Sequence, residues 1–211
     1  MTDFAETRYA RGNSHRKQQF YNLYLDFEGG STAYGLRFSN GDRIQRRETP
    51  YSASDIEQQP HLNAPFTLGR LSHDLEELAG IWIVSERLRR VFETIDAEGF
   101  VFMDCDYQRR DGSPGPKHYM CDVVRKLDAV DERASQVKVD FFPPDYRGYS
   151  FGGGARLAFK LDVIGCAQVF RTPYSGNKVF CTRAMRDAVR IAKPDGLHGL
   201  TGLRFRDAAD M

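Results

Sequence analysis

No charge dominates this chain. Its 30 Lys and Arg residues are matched by 29 Asp and Glu, so 211 residues carry a net charge of +1. A chain so balanced has no global field to hold it on nucleic acid or anionic lipid. Long apolar runs are missing too: no uncharged stretch approaches the ~20 residues needed to cross a bilayer. No apolar segment follows the basic residues of 1–19, so that stretch reads as a frayed tail and not as a secretory leader. The four cysteines, at 105, 121, 166 and 181, include no CxxC pair, which argues against a zinc or disulfide framework. Each lies in an apolar segment, and the expectation is four small buried thiols in a reducing cytoplasm. No HExxH, GxSxG or Gly-Lys-Ser/Thr phosphate loop occurs, so no catalytic residue, metal ligand or cofactor is assigned.

Aromatic residues, in contrast, are plentiful: 15 Phe and 10 Tyr bring the aromatic share to 12%. They favour pleated, half-buried surfaces over a helical bundle. Alternating apolar patterns predict strands over residues 20–27, 33–38, 81–84, 100–107, 118–124, 156–163, 167–171, 178–181 and 201–205. Residues 100–124 read as a hairpin turning at Asp111-Gly-Ser-Pro-Gly-Pro116, and residues 41–70, with Pro50, Pro60 and Pro65, as irregular apart from a short helix near 54–58. Two amphipathic helices are expected, over about 85–98 and 183–193. The first has Ser85 as N-cap, Glu86 in its first turn and Leu88, Val91, Phe92 and Ile95 on one face. The second has Thr182 as cap with Met185, Ala188, Val189 and Ala192. The two helical units echo each other at a constant offset of 97, from Ser85…Gly99 to Thr182…Gly196. Duplication would produce this, but so would any two capped amphipathic helices, and the scarcity of identical residues favours the second explanation. The architecture predicted is α+β: a mostly antiparallel sheet of about seven to nine strands with two main helices.

Candidate chemistry is thin. Asp104 and Asp106 lie two apart on one strand and so share a face, with Asp122 on the neighbouring strand. Three carboxylates there would suit a motif-poor enzyme using a carboxylate or metal site on the 100–124 hairpin. A solvated polar face, ordinary for an antiparallel sheet, explains Asp104 and Asp106 as well. His118 and Cys121 are three apart in a strand and point to opposite faces, so they form no local nucleophile pair. Gly148–Gly154 opens into an expected strand, which suits a loop better than a phosphate cradle. The aromatics around it, from Phe141 through Tyr146, Tyr149 and Phe151, either anchor a partner or pack down on the sheet. Residues 183–206 hold six basic residues against two acids, but Arg183, Arg186 and Arg190 take the face away from Met185 and Val189, as a solvated helix face does. Nucleic-acid binding is therefore the weakest reading.

The C-terminal block runs Gln168-Val-Phe-Arg171, Ser175, Lys178-Val-Phe-Cys-Thr182, a helix, then Leu200-Thr-Gly-Leu-Arg-Phe205. Upstream lie His73-Asp-Leu75, Ile83-Val-Ser-Glu86, and Leu127-Asp-Ala-Val-Asp131 with Ser135. Together these resemble a family of immunity proteins of bacterial polymorphic-toxin systems, a myxobacterial-type domain first catalogued as one of unknown function. The motif residues are Ser85, Glu86, Asp128, Asp131, Phe170, Arg171, Thr201, Gly202 and Phe205. They have the character of scaffold, and the resemblance brings no catalytic set. It covers residues 73–207, leaving 1–19 as a tail and 20–72 as N-terminal strands and irregular chain packed on the same domain. It implies a cytoplasmic, non-enzymatic protein, without cofactor or membrane partner, that neutralises a cognate toxin by stoichiometric binding. Asp104, Asp106, Tyr107, Asp122, Tyr146, Tyr149 and Phe151 are the expected contact residues, as strand tips and loop aromatics.

Overall fold

The computed structural model describes residues 19–26, 36–40, 59–64, 73–78, 80–142, 146–193, 196 and 199–211. The tail 1–18, the helix expected near 54–58 and the turn at Gly29-Gly30 lie outside them. The first strands are β1 (Phe20–Leu25), β2 (Arg37–Phe38), β3 (His61–Asn63), β4 (Leu75–Leu78) and β5 (Ile81–Ser85). Helix α1 (Glu86–Asp96) follows, ending in a 3-10 turn at Ala97–Gly99. After it come β6 (Phe100–Gln108), β7 (His118–Val123), β8 (Lys138–Phe142), β9 (Tyr146–Ser150) and the single-turn α2 (Leu161–Ile164). The chain closes with β10 (Val169–Arg171), β11 (Val179–Thr182), α3 (Arg183–Ile191) and β12 (Leu203–Asp207). The α+β expectation holds: among the described residues, every strand pairing is antiparallel except β3 with β6.

The strands form sheets ordered β10-β11-β1-β12, β2-β3-β6-β7-β5-β4 and β8-β9. Two of these sheets contain the same unit. In one, the hairpin β4–β5 leads through α1 to β6, and β7 lies between β5 and β6. In the other, the hairpin β10–β11 leads through α3 to β12, and β1 fills the equivalent place. Each is a strand–helix–strand crossover with an antiparallel strand inserted, a split β-α-β unit. The sequence echo is thus matched by a common topology, one that also recurs among unrelated chains. The units differ in the source of the inserted strand: β7 follows β6 directly, whereas β1 comes from the N-terminal end of the chain.

Both helices are capped as their sequences predict. Ser85 accepts a hydrogen bond from the Leu88 N–H at 3.2 Å, and Thr182 accepts one from Met185 at 3.4 Å. Leu88 and Phe92 on α1, with Met185 and Val189 on α3, are buried in the main core with Tyr21, Leu23, Val84 and Tyr119. A second core lies beneath β2 and β3, where Leu36 and Leu62 cover Ile83, Cys105 and Met120. A third joins Phe20, Phe170 and Phe180 to the chain around Val130, Leu157 and Tyr149.

Several expectations need correction. Twelve strands are present among the described residues, more than the seven to nine expected. Residues 156–163 are not a strand. Their amides bond to three separate segments: Arg156 N–H to Gln136 O, Leu157 to Ala208 and Lys160 to Ala129. Divided in this way they build no ladder, and α2 begins at Leu161. β3 arises inside the stretch read as irregular, because β6 offers it a parallel edge from Asp106 to Gln108. Of the glycine-rich loop read over 148–154, residues 148–150 belong to β9, paired with β8 so that Lys138 stands opposite Ser150, and Gly152, Gly153 and Gly154 form a turn. Of the four cysteines, Cys105, Cys121 and Cys181 are buried, but Cys166 is exposed.

Candidate partner-binding surface

Three of the motif residues, Ser85, Thr201 and Gly202, gather around one buried carboxylate. Asp74, 4% exposed, is held by groups more than a hundred residues apart. Ser85 Oγ donates to its carboxylate at 2.6 Å, and Thr201 donates through its backbone N–H at 2.9 Å and its hydroxyl at 3.2 Å. A carboxylate can be buried only when donors replace the water it loses. Gly202 makes the approach possible. Its φ is +83°, and a Cβ there would lie 2.2 Å from the Leu75 carbonyl oxygen. Beside this knot the Tyr119 hydroxyl donates to Glu86, which holds that carboxyl below its usual range despite partial desolvation.

The other motif residues make contacts elsewhere in the chain. The Asp131 carboxylate accepts from the N–H groups of Arg133 and Ala134, at 3.1 and 3.2 Å, and Ser135 Oγ accepts from Ala158 N–H at 2.9 Å. Asp128 is exposed, and its carbonyl accepts from Lys160 Nζ at 3.1 Å. Phe170 is fully buried among Phe20, Phe159 and Phe180, and Phe205 packs half-buried against the main core. Arg171 Nη2 donates to Asp122 at 2.6 Å, joining β10 to β7.

The expected contact residues divide by burial. Asp104 and Asp106 are exposed on β6. Asp104 lies 3.8 Å from both Arg89 and Lys117, and Asp106 is 3.0 Å from His61 Nδ1. Tyr146 is 61% exposed at the start of β9, and Phe151 is half-buried just past its end. Three others are buried. Tyr107 is buried and stacks edge-on against His118. Tyr149 is buried against Tyr174 and donates its hydroxyl to Glu132 at 2.6 Å. Asp122 is buried in the Arg171 ion pair.

Register explains the fate of Asp122. It stands opposite Val101, whereas Asp104 stands opposite Tyr119, so Asp122 lies on the other face of the sheet from Asp104 and Asp106. The three carboxylates do not converge, and among the described residues no three His, Cys, Asp or Glu side chains group to hold a metal. The basic residues of α3 spread likewise: Arg186 pairs with Asp187 at 2.5 Å and stacks over Tyr21.

The structure adds four residues to the expected contacts, of which Phe141 was noted among the loop aromatics. Phe141, 72% exposed on β8, stands opposite Arg147, which sits 5.8 Å over its ring, whereas Tyr146 takes the other face of the hairpin. Asn22, Lys178 and Arg206 line a groove on one face of the four-stranded sheet. A polar residue within the apolar run of β1, and the alternation of Arg204 and Arg206 in β12, were the available signals.

Among the described residues no helix is long and apolar enough to cross a membrane. No curated protein matches the chain. The model of an immunity protein family, Imm11, matches residues 19–210. The match begins well before the motifs noted from residue 73 and takes in β1, the strand that completes the second split unit. With nearly the whole chain matched, the chain belongs to the Imm11 immunity protein family.

Proposed function

We propose that this protein is an immunity protein of a polymorphic-toxin system, which binds one cognate toxin in the cytoplasm and neutralises it by stoichiometric contact. Family membership, which points to toxin neutralisation in general, carries this reading. The surface agrees with it. Phe141 and Tyr146 stand exposed on one hairpin, with Phe151 at its foot, and aromatic side chains of this kind are favoured anchors in protein interfaces. Asp104 and Asp106 form a separate acidic contact on β6. Binding alone, without catalysis, suffices when the toxin's active site or substrate path is covered.

The test is co-expression with the toxin domain encoded by the adjoining gene. Cells should survive only when this protein is present, and calorimetry with a catalytically inactive toxin should give one-to-one binding. Toxicity undiminished by co-expression, with no heat of binding, would sink the proposal.

A further inference from the structure

The outer face of sheet β10-β11-β1-β12 is covered along only part of its length. Phe20, Phe170 and Phe180 lie under the third core. Further along β1, Asn22 and Tyr24 open into two pockets of about 300 and 390 Å³, which share Asn22, Tyr24 and Lys178. Phe151, Arg206 and Met211 complete the smaller pocket, and Glu77, Trp82 and Arg171 help to line the larger. Strand register accounts for this grouping. Asn22 stands opposite Arg206 on β12 and opposite Phe180 on β11, and Lys178 lies two residues before Phe180, on the same face.

Where the pockets meet, the charge has one sign. Lys178 Nζ lies 4.7 Å over the Phe151 ring and makes no ion pair among the described residues. Arg206 Nε donates to the Asp210 backbone carbonyl, a neutral acceptor. Desolvation, reinforced by the neighbouring Arg206, pushes the Lys178 ammonium below its ordinary range. Asn22, only 6% exposed, has an Oδ1 that finds no donor among the described residues, and Arg171 Nε likewise finds no acceptor. Buried polar atoms are nearly always paired, so the Asn22 orphan marks a place where a partner is missing, whereas Arg171, opposite Val179, stands on the other face of the sheet. Glu77 is the acidic side chain on the rim, and it lines only the larger pocket.

We infer that this groove seats an acidic, extended segment of the partner toxin, with carboxylates between Lys178 and Arg206 and a backbone N–H donating to Asn22 Oδ1. Charge complementarity selects the occupant: adjacent cations without counter-charge are relieved by carboxylates. A backbone N–H supplies the donor that Asn22 lacks. The groove reaches the base of the β8–β9 hairpin, because Phe151 on its wall directly follows Ser150, the last residue of β9. The inference rests on the proposed function and specifies its contact.

The test is titration of the toxin domain encoded by the adjoining gene into the wild-type protein, Lys178→Glu/Arg206→Glu and Lys178→Gln/Arg206→Gln, at low and high salt, with thermal melting as the folding control. Charge reversal should weaken binding by about a hundredfold or more, and the neutral pair by about tenfold. Wild-type affinity should fall with salt, and Lys178→Arg should keep it. Wild-type binding with undiminished affinity in both double variants would overturn the groove assignment and leave the proposed function standing. Failure of the wild-type protein to bind the toxin would overturn both. Tight binding of a single-stranded oligonucleotide, lost in the reversal variant, would also overturn the assignment, by giving the groove a different occupant.

Discussion

Arg171 and Asp122, 49 residues apart in sequence, form an ion pair at 2.6 Å that joins the two large sheets. Both side chains are nearly buried, so each neutralises a charge that would otherwise be stranded in the interior. Arg171→Met should cost about 3–5 kcal/mol, because Asp122 would stay buried without its guanidinium counter-charge. Replacing both residues by apolar ones should recover most of that loss. Urea denaturation of the two single variants and the double variant measures the coupling, and additive single effects would contradict it.

The knot around Asp74 predicts two unequal losses. Gly202→Ala has to accommodate a Cβ 2.2 Å from the Leu75 carbonyl at a φ of +83°, so it should cost about 3 kcal/mol or more, or fail to accumulate as folded protein. Ser85→Ala removes both the α1 cap and one donor to Asp74, for about 1–2 kcal/mol, while Ser85→Thr should retain most of the stability. Thermal melting that ranks Ser85→Ala as the worse of the two would refute this account.

Acid should destabilise the fold in two stages. Burial lowers the His118 pKa, although Asp74 and Glu76 oppose the shift. Below about pH 6.5 the unfolded chain therefore takes up a proton that the native protein resists, and stability falls as pH falls. Glu86, stabilised as an anion chiefly by Tyr119, also titrates below its ordinary value. So does Asp96, where burial is outweighed by Arg125 and by the N–H groups of Gln168 and Val169. The stability these two contribute is complete above their unfolded values and is lost as pH falls through the lower native ones, below about pH 4. Melting temperatures measured from pH 8 to 3 should show both declines, and His118→Gln should abolish the upper one alone.

Thiol reactivity should separate one cysteine from three. Cys166 is exposed, whereas burial pushes the Cys105 thiol up to about 12 and raises Cys121 and Cys181 as well. Native protein should release one equivalent of chromophore from an aromatic disulfide reagent, and unfolded protein four. Loss of the fast phase in Cys166→Ser completes the check.

Two surface pairs should weigh on binding and leave the fold alone. Phe141→Ser/Tyr146→Ser and Asp104→Ala/Asp106→Ala should each change stability by about 0.5 kcal/mol or less per site, as exposed positions usually do. The aromatic pair should weaken toxin binding more than the acidic pair, because Asp104 and Asp106 already have partners in Arg89, Lys117 and His61. Calorimetry showing the reverse order would move the contact to β6.

Local pattern was enough to read the helices. The 3.6-residue period of Leu88, Phe92, Met185 and Val189, with Ser85 and Thr182 as caps, places both helices within about two residues of their ends. The 100–124 hairpin and the short apolar strands were readable for the same reason, since alternation and turn residues are local features. The strands that escaped notice owe their existence to distant partners. β3 needs the edge of β6, and the Leu75-Glu-Glu-Leu78 sequence of β4 alternates poorly but is held by β5. Residues 156–163 failed in the opposite direction, because an alternating pattern is no strand when its amides are shared among three segments.

Composition and spacing alone thus determined that this is an α+β protein with two capped helices and without recognisable catalytic motifs, and its short motifs already resembled an immunity family. Which carboxylates face solvent was decided only in three dimensions. A strand's face follows its register, and register depends on pairing with other strands: it sent Asp122 inward to Arg171 and left Asp104 and Asp106 outside. The same dependence brings Asn22, Lys178 and Arg206, from three separate strands or their flanks, to one groove, where a near-neutral chain acquires a local positive face.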